Sequence, residues 1–229
     1  MGYFSDGFLK AIDLLTGLHA PTVSAIKVTL VSTGWAVGIA MLLGLPLGFA
    51  LGYWRFPGAR LLRLVSDTLL AFPTVLIGLI VYVFITSRGP LGEFGLLFTV
   101  RGMIIGQTIL ALPIVVSWTA EAVENMDPRC RLTLLTLGAN RWQACLLTIF
   151  EARYEIGMVG ATAFGRVVTE VGVAMMLGGN ILNSTRTMTT AISLETSKGD
   201  FAQGIALGLA LLAIAFVING TLTFLRGKR

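Results

Sequence analysis

The sequence predicts an all-α, polytopic membrane protein with five transmembrane helices, forming a single domain over residues 1–229. Three observations predict it. Hydrophobic residues make up 55% of the 229 and charged residues 13%, a balance too apolar for an ordinary soluble domain. Residues 28–54, 68–87 and 201–225 contain no charge at all, and each run reaches the about 20 residues that a helix needs to cross about 30 Å of hydrocarbon. None of these runs alternates with the period of two that a transmembrane barrel strand requires.

Taken in order, residues 4–18 form an amphipathic stretch with Asp6, Lys10 and Asp13 among apolar positions. The stretch is too short and polar to span and is predicted to lie on the outer surface. The first span, 28–54, begins too far from Met1 and is too long for a cleaved signal peptide. It carries Gly44, Gly48 and Gly52 on one helical face, which lets another helix approach closely, and Gly204 and Gly208 repeat the device in the last span. Packing within one subunit is the expected use of both. Pro46, Pro73 and Pro113 lie inside the first three predicted spans, 28–54, 68–87 and 102–120. Each removes a backbone donor and bends its helix.

The polar stretch 121–155 has local organisation of its own. Asp127 and Pro128 read as an N-cap with proline at the first helical position, opening a helix that Gly138 ends in a left-handed C-cap. Asn140 then caps a second short helix, with Gln143 at the reciprocal position of a capping box. The fourth span, 156–179, is apolar except for Arg166 and Glu170, four residues apart and so on one helical face. Arg166 lies about 15 Å into that span, too deep for easy snorkelling, so both charges need partners. Gln107 of the third span is a candidate. The loop 181–200 contains a predicted helix, 188–197, closed by Lys198 and Gly199.

Five spans place the termini on opposite sides. With the C-terminus in the cytoplasm, the inner segments carry ten of the 17 basic residues and the outer segments six, with Arg166 inside the membrane. Tyr53, Trp54 and Trp118 then anchor the inner boundary. The predicted orientation in the cell membrane is N-terminus outside, C-terminus cytoplasmic. Cys130 and Cys145 fall in the cytoplasmic segment and are read as free thiols. No GxxxxGK[ST] phosphate loop occurs, no cysteine–histidine spacing suits a metal, and His19 is the sole histidine, so neither a cofactor nor an enzymatic activity is expected of this chain. The basic residues are scattered between spans, which argues for orientation over nucleic-acid binding. A secondary carrier or channel for a small anion, or a structural subunit of an electron-transfer complex, shares the same composition. The missing inverted repeat counts against the former and the missing paired histidines against the latter.

The segment Leu137-Gly138-Ala139-Asn140-Arg141-Trp142-Gln143-Ala144 resembles the coupling loop of ABC importer permeases, with Gly138 at the motif's glycine. Leu132-Thr133-Leu134 stand where that motif has Glu-Ala-Ala. Phe164-Gly165-Arg166, Glu170-Val171-Gly172 and Gly178-Gly179-Asn180-Ile181 are similar to the corresponding span and outer turn of molybdate, sulfate and tungstate permeases. Glu151-Ala152-Arg153-Tyr154 and the run from Thr185 to Ile192 resemble the tungstate-type members most. The resemblance implies a homodimer bearing two cytoplasmic ATPase subunits, which hold ATP and magnesium, and an extracytoplasmic oxyanion-binding protein. It implies that Gly138, Ala139, Asn140, Arg141 and Trp142 form a cytoplasmic coupling helix against the ATPase, and that transport proceeds by alternating access. Arg166, Glu170, Gly178, Gly179 and Asn180 are expected on the gate or pathway helix. The pair Arg166–Glu170 is expected to fix that helix, so that exchanging the two charges partly restores function.

Overall fold

The computed structural model describes residues 8–9, 12–13, 20–126, 136 and 138–226, with the backbone alone at 141, 218, 219 and 221–226. The expected amphipathic stretch 4–18, the capped helix after Asp127, and Cys130 therefore lie outside the described residues or nearly so. Within the described residues the chain is all helical. The helices are α1 (Ala20–Tyr53), α2 (Ala59–Leu70), α3 (Thr74–Ile85), α4 (Val100–Glu124), α5 (Arg141–Glu151), α6 (Arg153–Val168), α7 (Gly172–Gly178), α8 (Met188–Ser197) and α9 (Phe201–Arg226), with one 3₁₀ turn at Gly92–Phe94.

The central contact is between α1 and α4, and glycine makes it possible. Side chains projecting from α1 would hold the two backbones apart. A Cβ added at Gly48 would stand 2.5 Å from the Val116 carbonyl oxygen, and one at Gly52 would stand 2.5 Å from that of Ala120. Gly44 likewise faces Val115. The matched pairs climb both helices together, so α1 and α4 run parallel, as helices separated by an intervening return span must. The glycine face thus serves packing within the subunit. In the last span, Gly204 approaches Thr196 of α8, whereas Gly208 has no neighbour within 4 Å and makes no close contact.

One core holds α1, α3, α4, α6 and α7 together, built from Val37, Ile77, Met103, Val115, Val159 and Leu177 with their neighbours. A smaller cluster of Ala25, Met188 and Ala210 joins α8 and α9 to the start of α1. Large apolar side chains also point outward, including Trp35, Leu42 and Leu47 on α1 and Leu212 and Phe216 on α9. In water such a surface would aggregate. In a bilayer it is the lipid-facing belt.

Two predicted spans are not continuous helices. The apolar run 68–87 is broken at Ala71–Pro73, and α2 turns from α3 by 101°. Pro73 has no N–H to give, and the residue before a proline is pushed out of the α region, so the helix stops there. The run 156–179 is likewise divided into α6 and α7, bent by 62°. Here no proline is involved. The Thr169 hydroxyl bonds back to the carbonyls of Gly165 and Arg166 at 3.2 and 3.1 Å, competing with continuation of the helix. Two helices, α1 and α4, are each long and apolar enough to cross a membrane, and up to four crossings result if each bent pair is one span.

Candidate functional site

The first candidate group lies at the start of α5. Gly138 adopts φ +85°, the left-handed conformation expected of a helix-ending glycine. Asn140 then closes a complete capping box: its Oδ1 accepts from the Gln143 N–H at 2.8 Å and its own N–H donates to Gln143 Oε1 at 2.9 Å. The helix so started has two unlike faces. Ala144, Cys145 and Thr148 are buried, with Cys145 against Phe49, Tyr53 and Val123 at the ends of α1 and α4. Burial raises the Cys145 thiol pKa, so the sulfur stays protonated and unreactive. The opposite arc exposes Trp142, Leu146 and Phe150, with 74%, 64% and 63% of each accessible. Of Arg141 only the backbone is described. Three large apolar side chains thus line one exposed arc of a short helix, an arrangement that water alone does not favour.

The second group surrounds α7. Arg166 and Glu170 do not share one helix: Arg166 lies in the last turn of α6, and Glu170 lies in the break before α7. They nevertheless pair, Nη1 to Oε2 at 2.9 Å. The other carboxylate oxygen of Glu170 accepts from the N–H groups of Gly172 and Val173 at 2.9 and 3.4 Å, the first two residues of α7. The cation thus sits at a helix C-terminus and the anion at a helix N-terminus, each the sign that the local backbone dipoles favour. Glu170 is only 5% exposed, and its buried charge is offset by one guanidinium and two backbone donors. Gln107, the expected additional partner, is buried in α4 with Oε1 unbonded, and no hydrogen bond joins it to either charge.

At the far end of α7, Gly178 lies against Met103, and Gly179 turns through φ +68° under the ring of Phe98. Asn180 follows with φ 51°; its Oδ1 accepts from Arg186 Nε at 3.1 Å and its Nδ2 donates to the Thr190 carbonyl at 3.4 Å. The five residues expected on the gate helix therefore occupy its two ends, and α8 reaches both. Thr189 Oγ1 donates to the Glu170 carbonyl at 3.0 Å. Thr187 and Thr190 form a second capping box, and the Met188 N–H donates to Thr29 Oγ1 of α1 at 2.9 Å. Sequence reasoning missed these threonines. The spacing of Thr187 and Thr190 ahead of an apolar helix was the available signal, with a hydroxyl where a capping box usually has Glu or Gln. The predicted loop helix has the expected bounds and its Lys198–Gly199 end, but Thr187–Ala191 are buried in the fold.

Residues 44–228 match the family described as binding-protein-dependent transport system inner membrane component. Over 219 residues the chain is 50% identical to a tungstate uptake system permease protein of Campylobacter jejuni, covering 96% of this chain and 92% of that one. It is 41% identical to a probable anion ABC transporter permease protein of Haloferax volcanii, covering 86% and 87%. The fold matches a chain of the methionine ABC transporter solved in inward-facing conformations, with a TM-score of 0.73 over 92% of this chain and 96% of that one at 15% identity.

Proposed function

Given that the chain belongs to the family of binding-protein-dependent transport system inner membrane components, we propose that it is the permease subunit of an ATP-driven importer carrying tungstate into the cytoplasm by alternating access. The observation that carries this reading is the identity, across nearly the whole chain, with a tungstate uptake permease. Five crossings follow if α1 and α4 each span, α2–α3 and α6–α7 are broken spans, and the apolar part of α9, Phe201–Val217, is the fifth. The aromatic cluster Phe49, Tyr53 and Trp54 and the basic residues beyond it support an inner position for that end. The C-terminus is then cytoplasmic and the N-terminus outside.

In this arrangement α5 is the coupling helix. Gly138 to Trp142 and the exposed arc to Phe150 dock on a cytoplasmic ATPase, which supplies ATP and magnesium, while the buried face of α5 leans on the ends of α1 and α4. A push on α5 reaches α6 directly, because α5 and α6 are separated only by Ala152. At the other end of α6 the Arg166–Glu170 pair holds the elbow, so displacement is passed to α7 instead of being lost in the break. The segment α6–α7, clamped by α8, forms the gate of each subunit in a homodimer. The extracytoplasmic oxyanion-binding protein delivers its cargo to the exposed rim 181–184 and 196–200. The test is reconstitution of the chain with its ATPase and binding protein in liposomes. Tungstate-dependent uptake coupled to ATP hydrolysis is expected; uptake unaffected by omitting the ATPase would overturn the reading in favour of a secondary carrier.

A further inference from the structure

The geometry points to an anionic phospholipid headgroup as the ligand of a basic cleft between the end of α1 and the start of α2. The cleft, of about 680 Å³, is lined by Trp54, Arg55, Phe56, Arg60, Arg63 and Glu124 among others. Three guanidinium groups thus meet one carboxylate. Arg63 is partly committed, with Nε 3.3 Å from Asp67 and Nη2 3.9 Å from Glu124, while its Nη1 is buried and has no hydrogen-bond partner. Arg55 and Arg60 are exposed and pair with no carboxylate among the described residues. The cleft therefore keeps an unneutralised positive charge and donors in a planar fork, which suit a phosphodiester.

Its position identifies the source of that phosphate. The uncharged run of α1 ends at Trp54, and Tyr53 and Trp54 stack edge to face at the boundary, where amphipathic rings settle at headgroup level. Immediately beyond, Gly58 turns the chain through φ +93° into α2, which buries none of its residues and exposes Leu61, Leu62, Leu64 and Val65. That helix departs by 101° from the membrane-crossing direction of α3, as a helix lying in the interface plane does. A headgroup in the cleft would leave its acyl chains along the exposed Leu43 and Leu47 of α1 and the leucines of α2. Basic pockets at the cytoplasmic boundary hold anionic headgroups by this combination of charge and adjacent apolar surface. A free oxyanion offers the same charge but nothing for the leucines.

The chain, purified in mild detergent, is titrated with phosphatidylglycerol or phosphatidylcholine, each alone and in competition with inorganic phosphate or tungstate, and bound lipid is counted by native mass spectrometry. Phosphatidylglycerol is expected to bind and phosphatidylcholine not. Replacing Arg55→Gln with Arg60→Gln should weaken phosphatidylglycerol about tenfold, since each basic side chain near the surface adds to the attraction. Arg88→Gln with Arg101→Gln, equally exposed but at the opposite end of α3 and α4, should leave binding unchanged, and Arg60→Lys should retain most of it. Equal phosphatidylglycerol binding by wild type and the Arg55/Arg60 variant overturns the proposal, as does an equal loss in the Arg88/Arg101 control. Displacement of the lipid by phosphate or tungstate at lower concentration than the lipid itself would reassign the cleft to a free oxyanion. Uptake of tungstate is a separate readout, so neither result bears on the transport reading.

Discussion

At the scale of single residues, the carboxylate of Glu170 serves two elements at once. One oxygen holds Arg166 and the other caps α7. Glu170→Gln keeps a carbonyl oxygen for the cap and loses the charge pair, whereas Glu170→Ala loses both. Because Arg166 remains 45% exposed, the pair is discounted for solvent screening, and the glutamine variant should lose about 1 kcal/mol. The alanine variant should lose about 3 kcal/mol, with two backbone donors left unpaired as well. Thermal midpoints of the detergent-purified chain would show the order; a glutamine variant as unstable as alanine would exclude the capping role. The cap argues against the expectation from sequence that exchanging the two charges partly restores function. Arg166→Glu with Glu170→Arg would place an anion at a helix C-terminus and a cation at a helix N-terminus, both unfavourable. The double variant should be no better than the worse single one in tungstate uptake. The two charges themselves were legible, because a charge in an apolar run stands out. The second role of Glu170 was not, since it depends on a helix break that no proline marks.

At the scale of helices, two kinds of glycine make opposite predictions. Gly48 and Gly52 face carbonyl oxygens of α4, whereas Gly38 has open space around it. Gly48→Ala or Gly52→Ala should therefore cost about 1–3 kcal/mol through overpacking. Gly38→Ala should be neutral or stabilising by up to about 1 kcal/mol through helix propensity. Equal thermal midpoints for the three would show that the α1–α4 contact is looser than described. Gly138 has the converse constraint: nothing stands within 4 Å of it, but its φ of +85° excludes β-branched side chains. Gly138→Val should therefore uncouple ATP hydrolysis from uptake while the chain still reaches the membrane, and Gly138→Asn should be much milder because asparagine tolerates the left-handed region. Coupled uptake at the wild-type rate in Gly138→Val would remove the turn from the coupling path. The capping box of α5 was readable from Asn140 and Gln143 alone, because caps are local. Helix α2 was not, since Arg60, Arg63 and Asp67 interrupt its leucines between two apolar runs and the stretch reads equally well as a polar connection.

At the scale of the whole molecule, the proposed orientation fixes which surface each reagent reaches. Thr190 is fully buried and cannot report it, but Ser184 and Gln143 are exposed on the two proposed sides. In a background with Cys130 and Cys145 replaced, Ser184→Cys should react with a membrane-impermeant maleimide added outside cells, and Gln143→Cys only after the membrane is opened. The reverse pattern would invert the topology. By itself the sequence determined that the chain is an α-helical membrane protein, where its charge-free runs lie, the capping box that starts α5 and the family it resembles. These follow from composition, periodicity and neighbours a few residues apart. Only the tertiary structure decided that two spans are broken, that Glu170 caps α7, and that Thr189 and Thr190 of α8 clamp both of its ends. In a bilayer, helices gain nothing from hiding apolar faces from one another, so apolar content marks where a helix crosses but not which face meets which neighbour. That choice belongs to close glycine contacts and to polar groups that must find partners, and those partners are distant in the chain: Thr29 bonds to Met188 and Gly48 lies against Val116.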